Sequence, residues 1–157
     1  MTGIDGSDSL DSAQTRETGD RNVLGGPLDI CGSRPRTGFY RDGYCRPPLR
    51  TPSPYGGHTI ASVMTREFLE HQRSLGTDLV TPRLELGFPG LTPGDRWCVL
   101  AARWLQSYES GYAAPVVLSA THEAALEVVP LAALRAHAVD VPDDLSRWES
   151  LMRRDEE

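Results

Sequence analysis

The chain has 157 residues and a net charge of −6, and its apolar fraction of 39% is enough for one modest hydrophobic core and one domain. It contains no lysine, which excludes a Schiff-base mechanism. The acidic residues concentrate at the two ends and leave the middle nearly neutral, so no nucleic-acid partner is indicated. Because there is neither an apolar run of about 20 residues nor an export signal, we expect a cytoplasmic protein that does not enter a membrane.

Three regions are predicted along the chain. Residues 1–21 form an acidic tail that is poor in apolar side chains and is expected to be disordered. Residues 22–141 form a single globular domain. Residues 142–157 read as an amphipathic helix with an acidic end, carrying Leu145, Trp148, Leu151 and Met152 at helical spacing. This helix either packs on the domain or forms a contact with a partner, such as a homodimer interface.

The first part of the domain is irregular and rich in glycine, proline and arginine. Thr37–Gly43 reads as a hairpin-like turn, because Asp-Gly is a strong turn dipeptide, and Arg46–Gly57 reads as an exposed loop. Five arginines lie close together against the single acid Asp42, and they are Arg34, Arg36, Arg41, Arg46 and Arg50. They are either side chains of a solvated loop or an anion site for carboxylate or phosphate.

The second part alternates short strands and helices. Thr65 is a suitable N-cap for the first helix and Gly76 a suitable residue just past its end, with His71 expected in solvent. Thr121 is expected to cap a short helix that begins with His122-Glu123. These two residues are expected to have a structural role in this helix. Strands are predicted over His58–Met64, Leu84–Phe88, Trp97–Ala102, Pro115–Ser119 and Glu127–Val129, and further helices over Arg103–Ser110 and from Pro130. This order predicts a small α+β (or small α/β) domain with a small mixed sheet.

Familiar catalytic and binding motifs are missing, including phosphate loops, CxxC, HExxH and GxSxG. What remains is a set of polar residues in tight turns. Arg41 and Arg96 would hold an anionic group, and Asp42 or Asp95 would orient them or act as acid or base. His58 would be the general base. We therefore expect a protein that binds a small anionic molecule and that could act on it as an enzyme; no cofactor is indicated.

The three cysteines are unevenly spaced, which argues against a disulfide framework and for free thiols. Cys98 lies in an apolar strand and is expected to be inert. Cys45 lies between Arg41 and Arg46, whose charges favour a reactive thiolate, and His58 could serve as its base. Two alternatives to the small-molecule hypothesis stay open: a metal- or thiol-dependent protein that uses Cys31, Cys45 and His58, and a non-enzymatic interaction protein that uses the C-terminal helix.

The residues of several turns and strands together resemble one known family. The matching segments include Asn22–Leu28, Thr37–Gly43, Gly87–Leu91, Pro93–Cys98, Pro115–Leu118 and Ala120–Ala124. From Asn22 to Val141 the chain is similar to the bacterial family called domain of unknown function 2237, whose activity is uncharacterised. The resemblance implies more cysteines than this chain has, at the positions of Tyr44, Ala61 and Leu100. It supports the polar set Arg41, Asp42, His58, Asp95, Arg96 and His122.

Overall fold

The computed structural model describes residues 20–32, 37–38, 40–47 and 57–141. Several predictions fall outside these residues: nearly all of the acidic tail, most of the Arg46–Gly57 loop with Arg50, the arginines Arg34 and Arg36, and the C-terminal helix with Trp148. The division into three regions therefore stays a prediction.

Two antiparallel strands lie at the centre of the domain, β1 (His58–Val63) and β2 (Arg96–Leu100). In their register Ser62 pairs with Trp97 and Ala61 with Cys98, and the register shifts between His58 and Ile60. Both strands were predicted, but β2 ends two residues early because Ala101 already begins a helix. The four inner residues of β1 are buried, so this strand has protein on both faces.

The described residues form three α-helices, namely α1 (Arg66–Ser74), α2 (Ala101–Glu109) and α3 (Leu131–Ala136). Thr65 begins α1 as predicted, because its Oγ1 accepts a hydrogen bond from the backbone N–H of Phe68 at 3.0 Å. Gly76 follows α1 with φ of 99°, a conformation that favours glycine. Short 3₁₀ helices cover Leu84–Leu86, Leu118–Ala120 and Glu123–Glu127.

The larger hydrophobic core lies between these helices and the strands. Trp104 is fully buried at its centre, and the indole N–H donates to the carbonyl of Ala114 at 3.0 Å. Its other large buried members include Ile60, Met64, Phe68, Leu91, Leu118, Leu131 and Leu134. A second, smaller cluster contains Cys31, Cys45, Ala61, Cys98, Val117 and Ala120. Because side chains alternate along a strand, Trp97 and Val99 join the large core while Cys98 joins the small cluster.

Buried polar side chains connect α1 to α2. The Gln72 amide nitrogen donates to Ser107 Oγ at 2.7 Å and to the Arg103 carbonyl at 3.0 Å. His71 Nδ1 lies 2.8 Å from the same Ser107 oxygen, and the His71 ring stacks on Tyr112. The prediction that His71 is solvated was therefore wrong: the ring is half-buried between two neighbours.

The N-terminal segment is fixed by side-chain hydrogen bonds rather than by regular structure. The Asn22 amide donates to the carbonyls of Pro27 and Ser119 and accepts from the N–H groups of Leu24 and Gly26, at 2.9 to 3.0 Å. Asp20 bonds Arg46 at 3.3 Å and His122 Nε2 at 3.1 Å. The polar contacts of this irregular half therefore take the place of a sheet ladder.

Four local predictions need correction. Leu84–Phe88 is an exposed 3₁₀ turn and not a strand, with its ends joined by hydrogen bonds between Arg83 and Phe88. The residue that caps the Glu123 helix is His122, whose Nδ1 accepts from the Ala124 N–H at 3.0 Å, whereas Thr121 Oγ1 bonds Val117 and Ala61. Pro115–Ser119 is reduced to isolated bridges at Val116, and Glu127–Val129 has no strand.

The predicted α+β single domain is confirmed in its class. The two described strands are antiparallel, and the parallel component is limited to a bridge between Val116 and Ala138. None of the helices in the described ranges has the length and apolar character needed to cross a bilayer.

Candidate functional site

A cavity of about 340 Å³ opens between the irregular half and the edge of the two-stranded sheet. Its wall is formed by the turn of Gly38 and Arg41, the start of β1, the loop of residues 79–88 and the strand β2. The lining residues are Gly38, Arg41, His58, Leu79, Arg83, Leu86, Phe88, Trp97 and Cys98. A second cavity of about 220 Å³ shares His58, Leu79 and Trp97 with the first, so the two adjoin along these side chains.

Two arginines are among the lining residues of the cavity, Arg41 and Arg83. The Arg41 guanidinium lies over the Trp97 ring, 5.1 Å from its centroid, in cation–π geometry. Arg83 also bonds Glu85 at 3.1 Å, and both of these side chains are exposed. Phe88 packs edge-on against Trp97 with 5.4 Å between ring centroids, so the cationic part of the wall is next to an aromatic part.

His58 is a lining residue of the cavity, and its imidazole side chain can titrate. Burial lowers the pKa of His58 below its usual value of 6.5, and the positive charge of Arg41 lowers it further. The imidazole is therefore neutral at pH 7 and can accept a proton or a hydrogen bond. This matches the chemical character expected of His58.

The remaining polar residues of the predicted site do not join Arg41 and His58. Asp42 accepts from the Tyr44 N–H at 3.1 Å and pairs with Arg46. Asp95 Oδ2 accepts from the N–H and hydroxyl of Thr92 at 2.9 and 3.3 Å, which fixes the turn before β2. Arg96 is exposed and is not a lining residue, whereas Arg83, which was not predicted, is one.

The cysteines differ most from their prediction. Cys45 and Cys98 form a disulfide, with 5.2 Å between their Cα atoms, whereas Cys31 is a buried free thiol. The expectation of three free thiols was wrong, and so was the assignment of Cys98 as an inert thiol. In this state Cys45 is bonded and fully buried, so it is not a nucleophile. The disulfide also removes the thiol argument for a cytoplasmic location.

The three sulfur atoms lie within 4.8 Å of one another, in a group that does not include His58. The predicted set of Cys31, Cys45 and His58 is thus replaced by Cys31, Cys45 and Cys98. Burial raises the pKa of the Cys31 thiol to about 12, and the nearby charge of Arg96 offsets only part of this effect. Sulfur atoms at this spacing suit thiol–disulfide chemistry or, once reduced, a thiophilic cation.

Backbone hydrogen bonds hold the three cysteine segments together independently of the disulfide. The Cys31 N–H donates to the Gly43 carbonyl at 2.7 Å, and the Gly43 N–H donates to the Thr37 carbonyl at 2.9 Å. Thr37 Oγ1 accepts in turn from the Cys98 N–H at 2.7 Å. Thr37 is fully buried, so the three cysteine segments are also linked by buried hydrogen bonds other than the disulfide.

Fold and site together define a small α+β domain with a cationic, aromatic-walled cavity next to a three-cysteine cluster. A model of the family described as an uncharacterized protein conserved in bacteria (DUF2237) matches residues 21–138. The chain belongs to this family, which confirms the resemblance inferred from its turn and strand residues. No curated protein matches the chain.

Proposed function

We propose that the cavity binds a small molecule that carries an anionic group, with Arg41 and Arg83 holding the anion. The observation that supports this proposal is that two arginines and His58, from three separate chain segments, line one cavity. Guanidinium groups match carboxylate and phosphate oxygens in charge and geometry. Trp97 and Phe88 would contact an apolar part of the same ligand.

The proposal extends to acid–base catalysis with His58 as the proton acceptor. A neutral imidazole beside a bound anion is suited to remove a proton from the ligand. Two cations in the wall would stabilise negative charge that develops on the ligand after that step. Asp42 and Asp95 have no part in this scheme, because each is engaged in a turn.

The test is the binding of benzoate against benzamide, two probes of equal shape that differ in charge, measured by calorimetry or by thermal shift. We expect benzoate to bind more tightly than benzamide. Arg41→Ala and Arg83→Ala should each weaken benzoate binding by about tenfold, the equivalent of one charge-assisted hydrogen bond, and leave benzamide nearly unaffected.

Arg96→Ala is the matched control, since Arg96 carries the same charge outside the cavity wall. It should leave benzoate binding unchanged. Equal binding of benzoate and benzamide, or an equal loss in all three arginine variants, would contradict the proposal.

A further inference from the structure

The three cysteines differ in where they lie relative to the cavity. Cys98 is one of the residues that line the cavity, although it is only 1% exposed, whereas Cys31 and Cys45 are not among the lining residues. Cys98, which lines the cavity, is thus bonded to Cys45, which does not line it. Which pair of sulfurs is bonded therefore decides whether the cavity wall contains a thiol.

The third sulfur is close enough to change that pairing. Cys31 Sγ lies within 4.8 Å of both sulfurs of the disulfide, and a thiolate exchanges with a disulfide by direct attack on one of its sulfurs. The side chains around the cluster are small, with Ala61 and Ala120 among them, so no bulky group separates the sulfurs. Cys31 and Cys45 are also brought together by the short backbone bond between Cys31 and Gly43.

We propose that the disulfide migrates from Cys45–Cys98 to Cys31–Cys45, and that this releases Cys98 as a thiol in the cavity wall, where it reacts with small disulfides. Cys98 is in this sense a masked nucleophile of the cavity. The migration does not depend on the anionic ligand proposed above, because it involves only the three sulfurs.

The first step is an exchange among the three sulfurs and needs no oxidant, and in the second step the small disulfide is the oxidant. Because burial raises the pKa of the Cys31 thiol to about 12, this thiol must first lose its proton. The thiolate then attacks Cys45 Sγ, the Cys31–Cys45 bond forms, the Cys45–Cys98 bond breaks, and Cys98 leaves as a thiolate that regains the proton lost from Cys31. In the second step, Cys98 attacks a small disulfide RSSR, which gives Cys98–SSR and releases one equivalent of RS⁻. Arg41 lines the same cavity as Cys98 and carries a positive charge there.

The experiment labels the native, unreduced full-length protein with iodoacetamide, quenches it in acid, and maps the bonds and the label by peptide mass spectrometry. We expect the label on Cys98 in molecules that carry a Cys31–Cys45 disulfide. Label confined to Cys31, release of Cys45 in place of Cys98, or a native protein that takes up no label over a day would overturn the proposal.

Two variants separate migration from simple opening of the disulfide. Cys31→Ala and Cys31→Ser remove the attacking sulfur and should keep Cys45–Cys98 intact and unlabelled, with circular dichroism to verify folding. Labelling of Cys98 in a folded Cys31 variant, at the rate seen in the natural chain, would refute the role of Cys31. If neither variant folds, the disulfide bonds and labelled cysteines found in the natural chain still decide whether the disulfide migrates.

The second step uses oxidised glutathione as the probe, and we expect one glutathionyl group on Cys98 of the native chain. The rate of glutathionylation in the Arg41→Ala and Arg83→Ala variants reports separately on the anion site. Labelling of Cys98 by neutral iodoacetamide together with equal glutathionylation in all arginine variants would refute the anion site and leave the migration supported.

Discussion

The guanidinium of Arg41 lies 5.1 Å from the centroid of the Trp97 ring, and Arg41 reaches this position with a backbone φ of 56°. Among the described residues other than glycine, Arg41 is the one with positive φ. Such a conformation costs about 1 to 2 kcal/mol for a residue with a Cβ atom, and an exposed cation–π contact returns only about 0.5 to 1 kcal/mol. The arginine therefore lowers stability at this position.

The first prediction compares Arg41→Gly with Arg41→Ala. Both variants remove the guanidinium and should lose the preference for benzoate over benzamide. Arg41→Gly should be more stable than Arg41→Ala by about 1 kcal/mol in urea unfolding, since glycine adopts positive φ without strain. An alanine variant as stable as the glycine variant would show that the backbone at this position carries no strain.

The second prediction concerns the pH dependence of stability. The pKa of folded His58 lies below 6.5, while the unfolded chain has the usual value, so the unfolded state binds a proton first as the pH falls. Stability from His58 is therefore complete above about pH 6.5 and is lost as the pH falls through the lower folded value. Urea unfolding between pH 8 and pH 5 should show this loss.

His58→Gln is the control for that measurement, because glutamine does not titrate. The variant should lose less stability on acidification than the natural chain. Carboxylates contribute equally to both curves, so only their difference reports on His58. Parallel curves would mean that His58 titrates alike in the folded and unfolded states.

The third prediction concerns the disulfide, which closes a loop with a sequence separation of 53 residues. The chain-entropy model gives about 4 kcal/mol for a loop of this length, and measured values are commonly about 2 to 4 kcal/mol. A reductant should lower the unfolding free energy of the natural chain by that amount. The unfolding free energy of the double variant Cys45→Ser/Cys98→Ser should not change with the reductant. An equal decrease in this variant would mean that the reductant does not act through the disulfide.

The fourth prediction uses two glycines with nearly equal backbone angles, Gly38 at φ 99° and Gly94 at φ 98°. A Cβ atom on Gly38 would collide with the carbonyl oxygen of Tyr44, whereas one on Gly94 would meet nothing within 4 Å. Gly94→Ala should cost about 1 kcal/mol from the conformation alone, and Gly38→Ala about 3 kcal/mol because a collision is added. Similar losses by thermal or urea unfolding would exclude close packing against Tyr44.

Sequence reasoning located the regular elements better than the irregular ones. Strands β1 and β2 and the cap at Thr65 follow from local apolar patterns and from one hydroxyl, which a single sequence displays. The segment 84–88 has a comparable apolar pattern but lies exposed, because its hydrogen bonds close within the turn from Arg83 to Phe88. Whether distant segments bury such a short apolar run decides whether it forms a strand, and the local sequence does not show this.

The site was predicted in part for the same reason. Arg41 and His58 were identified from residue type and turn context, and both line the cavity. Asp95 and Arg96 have equally suitable types, but Asp95 bonds the Thr92 turn and Arg96 is exposed. Arg83 lies beside Pro82 in a turn, a weak signal that could have brought it into the candidate set. The disulfide of Cys98 was missed because its partner Cys45 lies 53 residues away and the apolar strand around Cys98 gives no sign of it.

The disulfide also has a consequence for limited proteolysis. It joins the segment that carries Arg41 to the strand that carries Trp97, and the bonds after Arg50, Arg66, Arg73, Arg83 and Arg96 all lie between its two cysteines. A single cut by trypsin at any of these bonds would give two fragments that still migrate as one band without reductant. With reductant they should separate, so the two walls of the cavity stay attached to each other after the chain between them has been cut.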